Sequence, residues 1–372
     1  MLADRSIAII QDALPFFGGA ERVLLELLRL APHSRVMALM HNPLAFKDTA
    51  LEGLEVATSF INRLPGITHN HYRYLPLFPL AIRQFDLSKF DTLISSHYAF
   101  ANSIKTRTDQ LHLSYVHTPM RYMWRQNPDF IRRQFLLTKP FVRLLFGVLR
   151  RLDFRAAQQV DQLMTNSAWT AQAIKSAYGR EAKVIYPPVQ VKRFKPLRRE
   201  SFYLVVSRLA TNKRIDLILA AFAQLDLPLV IVGDGPLRAE LLRKASPNVT
   251  FMGFRSDPEV ADLLGRARAF LHVALEDFGI AAVEAMAAGC PVIALNRGGT
   301  AETVVHKQTG LLIEAQTPEA LREAVLSFEG SSQQFDPHKI QDHAQQYSPE
   351  RFREHFLQTL NSALAKKAGQ AR

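Results

Sequence analysis

The chain has 372 residues, which at about 100–200 residues per domain predicts two domains. Hydrophobic residues make up 48% and charged residues 22%, globular proportions that argue against a largely disordered chain or a low-complexity array. Cys290 is the one cysteine, which excludes an intrachain disulfide and a thiolate-rich zinc site and suits a reducing compartment; the formal charge is +12.

In chain order, a short strand is predicted at 7–10, in a run too short for a signal-peptide core. Phe16-Phe17-Gly18-Gly19-Ala20-Glu21 then leads into a helix. The glycine pair permits positive φ and a close approach of ligand to backbone, and the same residues also describe a plain helix-entry turn. Further strands are predicted at 36–39, 92–95, 113–116 and 163–165, with irregular aromatic-rich stretches between some of them. His69 and His71 lack nearby thiolates or spaced carboxylates, which makes them weak metal candidates. His117 falls just past the strand at 113–116, where functional residues of α/β folds concentrate; a structural histidine is the other reading.

Residues 121–160 carry nine Lys and Arg against two Asp and Glu. Apolar residues at 141, 144, 145, 148, 149 and 152 define one helical face, with Arg143, Arg150 and Arg151 off it. Upstream, Phe130, Phe135, Leu136 and Leu137 mix with Arg132, Arg133 and Lys139. Either this helix packs on the N-terminal sheet with a solvated basic face, or residues 130–155 dock on an anionic membrane surface. No segment approaches the roughly 20 apolar residues of a spanning helix. The expectation is a cytoplasmic protein, with room for a peripheral place on the inner face of the plasma membrane.

Tyr186-Pro187-Pro188-Val189 and the charges at Lys192, Arg193, Lys195, Arg198 and Arg199 mark a connector. The expected domains are 1–192 and 193–347, followed by a C-terminal helical segment, 348–372. The second half alternates more cleanly. Strands are predicted at 202–206, 229–232, 249–252, 269–273 and 292–295. Helices are predicted at 216–225, 237–244, 258–266, 281–288, 318–328 and 349–364. Buried strands alternating with helices imply parallel sheets covered on both faces, hence an α/β protein with two Rossmann-like halves. A ligand is then expected in the cleft between them, beyond the C-terminal ends of the strands.

The segment Glu276 to Glu284 follows a strand and opens a helix. Gly279 would let a ligand approach the backbone. The N–H groups of Phe278, Gly279 and Ile280 would form an anion site helped by the helix dipole. Glu284, one turn in, can grip a diol, and Glu276 can face the reacting end of a ligand. A helix with acids near its N-terminus describes the same residues, and spacing alone does not choose. Arg208 ends a strand and Lys213 opens the next helix, a fork and a point charge suited to a diphosphate; a solvated basic loop is the alternative. Arg238 stands where Gly233-Asp234-Gly235 would need a third glycine for a dinucleotide fingerprint. No Asp-x-Asp triplet, Walker loop or nucleophile elbow occurs.

Taken together, these motifs resemble glycosyltransferase family 4, retaining enzymes of the GT-B fold. The resemblance runs over nearly the whole chain. It includes Gly18-Gly19-Ala20-Glu21, His117-Thr118-Pro119, Thr165-Asn166-Ser167 and Val184 to Val189. It continues through Ser207-Arg208-Leu209, Lys213 to Asp216, Gly233 to Pro236, Glu276 to Glu284 and Gly298-Gly299-x-x-Glu302. His117 to Trp124 and Leu87 to Asp91 running into Ser95-Ser96-His97 look most like mannosyltransferases of O-antigen and exopolysaccharide assembly. Asn102, where a lysine is expected, and Arg125, where an acid is usual, depart from that pattern on the acceptor side.

The resemblance implies two Rossmann-like domains facing each other across a cleft, the first acceptor-binding and the second nucleotide-sugar-binding. The C-terminal helix would cross back to the first domain. Arg208 and Lys213 would hold the donor diphosphate without a metal or other cofactor, stabilising the leaving charge. Glu284 would bind the ribose. Glu276 and the backbone of Phe278, Gly279 and Ile280 would hold the transferred sugar, His117 would hydrogen-bond it near the reacting carbon, and Gly18 and Gly19 would leave room. The base-reading segment would be Gly253 to Asp257, with Asp257 also readable as a helix cap. The implied reaction moves mannose from GDP-mannose onto a lipid-linked saccharide by same-face attack, with UDP-sugars left open. A silent sugar-nucleotide binder is the other reading. A nucleic-acid partner is not expected, since no binding module is apparent, and no set of cleft acids identifies an epimerase.

Overall fold

The computed structural model describes residues 5–68, 71–124 and 139–370. Of the basic stretch, Arg125, Phe130, Arg132, Arg133, Phe135, Leu136 and Leu137 lie outside the described residues, as does His69. The chain divides into two units, 1–187 with 352–372, and 188–351.

The first unit holds strands β1 (Ile7–Gln11), β2 (Arg35–Ala38), β3 (Val56–Thr58), β4 (Thr92–His97), β5 (Leu111–Val116), β6 (Gln162–Thr165) and β7 (Lys183–Val184). They pair in parallel in the order β3-β2-β1-β4-β5-β6-β7. Every residue of β1 is buried, because helices cover both sheet faces. Ile7 and Ile9 meet Val23, Leu24 and Leu27 of the helix Gly19–Leu30, and Phe352, Phe356 and Leu360 of the helix Pro349–Gln370. Ala8 and Ile10 meet Phe78, Phe146 and Leu149 on the other face. The C-terminal helix thus packs into the first unit's core.

The second unit holds β8 (Tyr203–Val206), β9 (Leu229–Val232), β10 (Val249–Gly253), β11 (Ala269–His272), β12 (Val292–Leu295) and β13 (Gly310–Ile313), in the parallel order β10-β9-β8-β11-β12-β13. Both sheets therefore reverse strand order beside their first strand, β1/β4 in one and β8/β11 in the other. The strands β3, β7 and β13 were not expected from the sequence. β3 and β7 are sheet edges of three and two residues, too short to show alternation or an apolar run, and β13 is a four-residue edge that opens on Gly310.

The helix Lys139–Gln158 departs from the expected single apolar face. Phe146, Leu149, Asp153 and Ala156 are buried, whereas Leu144 and Val148 are 68% and 46% exposed. The apolar arc is wider than the strip the core covers, so one i, i+4 pair is left outside.

A buried polar chain ties this helix to the sheet. Asp12, just past β1, accepts N–H bonds of 2.6–2.7 Å from Tyr98, Ala99, Phe100 and Ala101, which shapes the turn after β4. His97 Nε2 lies 3.5 Å from Asp153 Oδ1. Asp153 Oδ2 accepts from Trp124 Nε1 at 2.7 Å and from the Tyr178 hydroxyl at 2.9 Å. Burial pushes the Asp12 carboxyl up to about 6 and Asp153 to about 7, and pushes His97 down to about 3.

Two predictions follow from this packing. Phe356→Ala should cost about 3–5 kcal/mol, seen as a lower urea midpoint; a loss below about 1 kcal/mol would mean the C-terminal helix adds little to the first unit. Asp153 binds a proton on folding between its ordinary value of 3.8 and about 7. Wild type should therefore lose stability relative to Asp153→Asn as pH rises through that window, with the gap level above it. Melting curves for both proteins across pH 4–8 measure this, and a pH-independent gap would refute it.

Candidate functional site

In the second unit the strand order reverses between β8 and β11, so the loops leaving their C-terminal ends diverge and open a crevice. Of the sequence-predicted donor residues, Arg208, Lys213, Glu276, Phe278 and Gly279 occupy those two loops. Arg208 follows β8 and is exposed, with no hydrogen bond or ion pair to its guanidinium among the described residues. Lys213 ends the short turn Thr211–Lys213 before the helix Ile215–Phe222. Its Nζ forms an ion pair with Glu276 Oε1, from the loop after β11. The structure thus joins the predicted diphosphate cation to the predicted sugar-facing carboxylate.

The turn from Glu276 to Gly279 is held from behind. Gly279, at the N-cap of the helix Ile280–Ala287, has φ +90°, and a Cβ there would meet Thr300 Cγ2 at 2.6 Å. Gly298 has φ +83°, with its would-be Cβ 2.5 Å from the Glu276 carbonyl oxygen. Gly299 N–H donates to that same oxygen at 2.9 Å. Side chains at these positions would push the two loops apart. Phe278 is buried, its ring edge-on to Tyr347 at 5.6 Å, so it anchors the turn while its backbone lies at the helix start. The first N–H groups of a helix have no partner within the helix, which suits Gly279 and Ile280 to an anion.

Glu284 lies one turn inside that helix and is buried. Arg193 Nη2 approaches its Oε1 at 3.5 Å. Asp257 also pairs with Arg193, and is not the helix cap that the sequence reading also allowed. That cap is Ser256, whose N–H donates to Glu259 Oε2 at 2.8 Å in a capping box.

His272, at the end of β11, carried no signal in the sequence because it reads as one more strand residue. It is buried, with Nε2 3.6 Å from Glu276 Oε2 and no hydrogen bond among the described residues. Burial lowers its pKa; Glu276 opposes that shift and Lys213 adds to it. Arg193 was likewise read only as part of the connector.

In the first unit, Gly18 and His117 lie beyond the C-terminal ends of β1 and β5. Gly18 is extended at φ −148°, so the positive φ that its glycine permits is not used; its N–H donates to Glu21 Oε2 at 2.9 Å in a capping box. Gly19 is exposed at the helix start. His117 Nε2 is 2.8 Å from Ser96 Oγ, and Asn166 Nδ2 donates to the His117 carbonyl at 2.9 Å. Burial pushes the His117 imidazole down to about 4, leaving it neutral near pH 7. Asn102 is buried and accepts from Ser95 and Ser114 hydroxyls at 2.9 and 2.6 Å, a structural role within the sheet. Among the described residues no group of three or more His, Cys, Asp or Glu side chains is placed to hold a metal ion.

Residues 17–193 match the family description Glycosyltransferase Family 4, and residues 190–349 match Glycosyl transferases group 1. The D-rhamnosyltransferase WbpZ of Pseudomonas aeruginosa is 30% identical over 204 residues, 49% of this chain and 54% of that protein. A GDP-mannose-dependent alpha-(1-6)-phosphatidylinositol monomannoside mannosyltransferase of Mycobacterium tuberculosis is 31% identical over 215 residues, 49% of this chain and 56% of that protein. The chain spans about half the length of these curated relatives. Among solved structures, Anabaena HepE in complex with UDP superposes with TM-score 0.71 at 20% identity, covering 96% of this chain and 100% of that one. Sucrose-phosphate synthase of Thermosynechococcus elongatus gives 0.75 at 18% identity, covering 97% and 100%. The two parallel sheets carry the GT-B fold class, the two sequence matches together run from 17 to 349, and this chain belongs to glycosyltransferase family 4.

Proposed function

We propose that the protein is a retaining, metal-independent glycosyltransferase that moves mannose from GDP-mannose onto a lipid-linked saccharide. The observation that carries this reading is the pairing of Lys213 with Glu276 at the strand-order reversal, beside exposed Arg208 and buried Glu284. Arg208 and Lys213 bind the diphosphate and neutralise the charge that develops on the leaving nucleotide. Glu284 accepts from the ribose hydroxyls. Glu276, released from Lys213 by the arriving diphosphate, takes hydroxyls of the sugar, with the N–H groups at the helix start beside it. His117 is neutral and tied to Ser96 through Nε2, so it offers Nδ1 to the sugar. Gly18 and Gly19 present no side chain where acceptor and sugar meet. With no residue among the described ones placed as a covalent nucleophile, the acceptor hydroxyl attacks the face the nucleotide leaves, and the departing phosphate takes its proton. The absence of an Asp-x-Asp triplet supports metal independence. The relatives named for GDP-mannose support the donor.

Calorimetry with GDP, UDP and ADP in EDTA tests the donor site. GDP should bind best, and Glu284→Ala should weaken it about tenfold, the loss of a hydrogen bond to a charged group. UDP preference would move the donor to a UDP-sugar. No nucleotide binding by folded protein would remove the reading.

The reading includes docking on an anionic membrane surface through the described part of 130–155. Leu144, Val148 and Phe154 are exposed beside exposed Arg143, Arg151 and Arg155 on the helix Lys139–Gln158. Such a stripe suits anionic lipid. No helix among the described residues is long and apolar enough to cross a membrane. Vesicles containing phosphatidylglycerol should float the protein in a salt-sensitive way, and Leu144→Glu with Val148→Glu should abolish this. Equal flotation of wild type and variant would count against the helix.

A further inference from the structure

Arg193 stands in the turn Val191–Arg193, far in sequence from the residues it touches. Its guanidinium forms an ion pair with Asp257, the first residue of the helix Asp257–Arg266, and lies 3.5 Å from Glu284 on the helix Ile280–Ala287. One cation therefore bridges two carboxylates from different helices. The guanidinium is also placed by its own neighbours. Its Cζ sits 4.6 Å from the Phe194 ring centroid, and Phe194 is buried. The Phe194 carbonyl accepts from Gln341 Nε2 at 3.2 Å.

These two carboxylates are the ones read at the nucleoside end of the donor, Glu284 in the site proposed above and Asp257 through the family resemblance. Glu284 is assigned to the ribose, and Asp257 ends the segment expected to read the base. Left alone, two acids at that end would repel an incoming nucleoside diphosphate. A guanidinium between them cancels that repulsion, and its planar fork sets their separation as a lysine's point charge would not. Arg193 Nε is buried without a hydrogen-bond partner among the described residues. Such an unmet donor is unfavourable, so the paired state is primed to rearrange when a ligand supplies an acceptor.

We infer that Arg193 is a positioning residue for the nucleoside end of the donor, holding Glu284 and Asp257 at a spacing that one ribose and its base span. This rests on the donor-site reading, and the test separates the two. Wild type, Arg193→Gln and Arg193→Lys are titrated with GDP, UDP and inorganic pyrophosphate, with melting curves of the unliganded proteins alongside. Pyrophosphate probes the Arg208 and Lys213 end alone. The expected result is a tenfold or greater loss of GDP affinity in Arg193→Gln, a narrowed GDP-to-UDP ratio, partial recovery of affinity in Arg193→Lys, and unchanged pyrophosphate binding. A merely structural arginine would weaken GDP and pyrophosphate together. That outcome, or wild-type GDP affinity in Arg193→Gln, overturns the inference while leaving the donor site intact. Failure of wild type to bind any nucleotide overturns both.

Discussion

Strand order is the constraint from which the rest of the second unit follows. Parallel strands joined by right-handed crossovers must place successive helices on one sheet face until the order reverses. The reversal lies between β8 and β11. Loops leaving those two strands turn to opposite faces, which opens the space they share. Residues 208–213 and 276–284 are separated by more than 60 positions, yet they line one crevice because of this geometry. The first unit repeats the rule at β1 and β4, where buried Asp12 gathers four backbone N–H groups.

Charge is managed the same way in both units, by pairing or by burial. In the second unit the half-buried Lys213 and Glu276 neutralise each other, and Arg193 answers Glu284 and Asp257. Pairs held like this in a crevice can be exchanged for a charged ligand, because the ligand's charges replace those being released and no charge is left buried alone. In the first unit, Asp12, His97 and Asp153 have no such exchange to make. Burial instead pushes their titration toward the neutral forms, and hydrogen bonds from Trp124 and Tyr178 take up what charge Asp153 keeps.

Much of this was legible before the structure. Arg208, Lys213 and Glu276 lie at strand ends or just before helix starts and Glu284 one turn into a helix, positions that local pattern reveals. Gly298 and Gly299 enter the sequence reading only through family resemblance; their reason is steric, since the backbone of Glu276 lies 2.5 Å from where a side chain at Gly298 would begin and that of Phe278 2.3 Å from one at Gly299. The split face of the helix Lys139–Gln158 was not legible. Periodicity reports which residues are apolar along a helix, and it says nothing of how wide a strip the neighbouring core will cover.

Sequence alone determined the α/β class, the alternation of strands and helices in the second half, and the family, because these depend on short-range period and on motifs in fixed order. The partners of Arg193, the carboxylate beside His272 and the acid that shapes the turn after β4 were decided by tertiary structure. Each joins residues tens of positions apart or turns on the direction of a single strand-end side chain. A charge in a connector and a histidine in a strand look ordinary along the chain, and only the crossing of elements in space gives them a neighbour to act on.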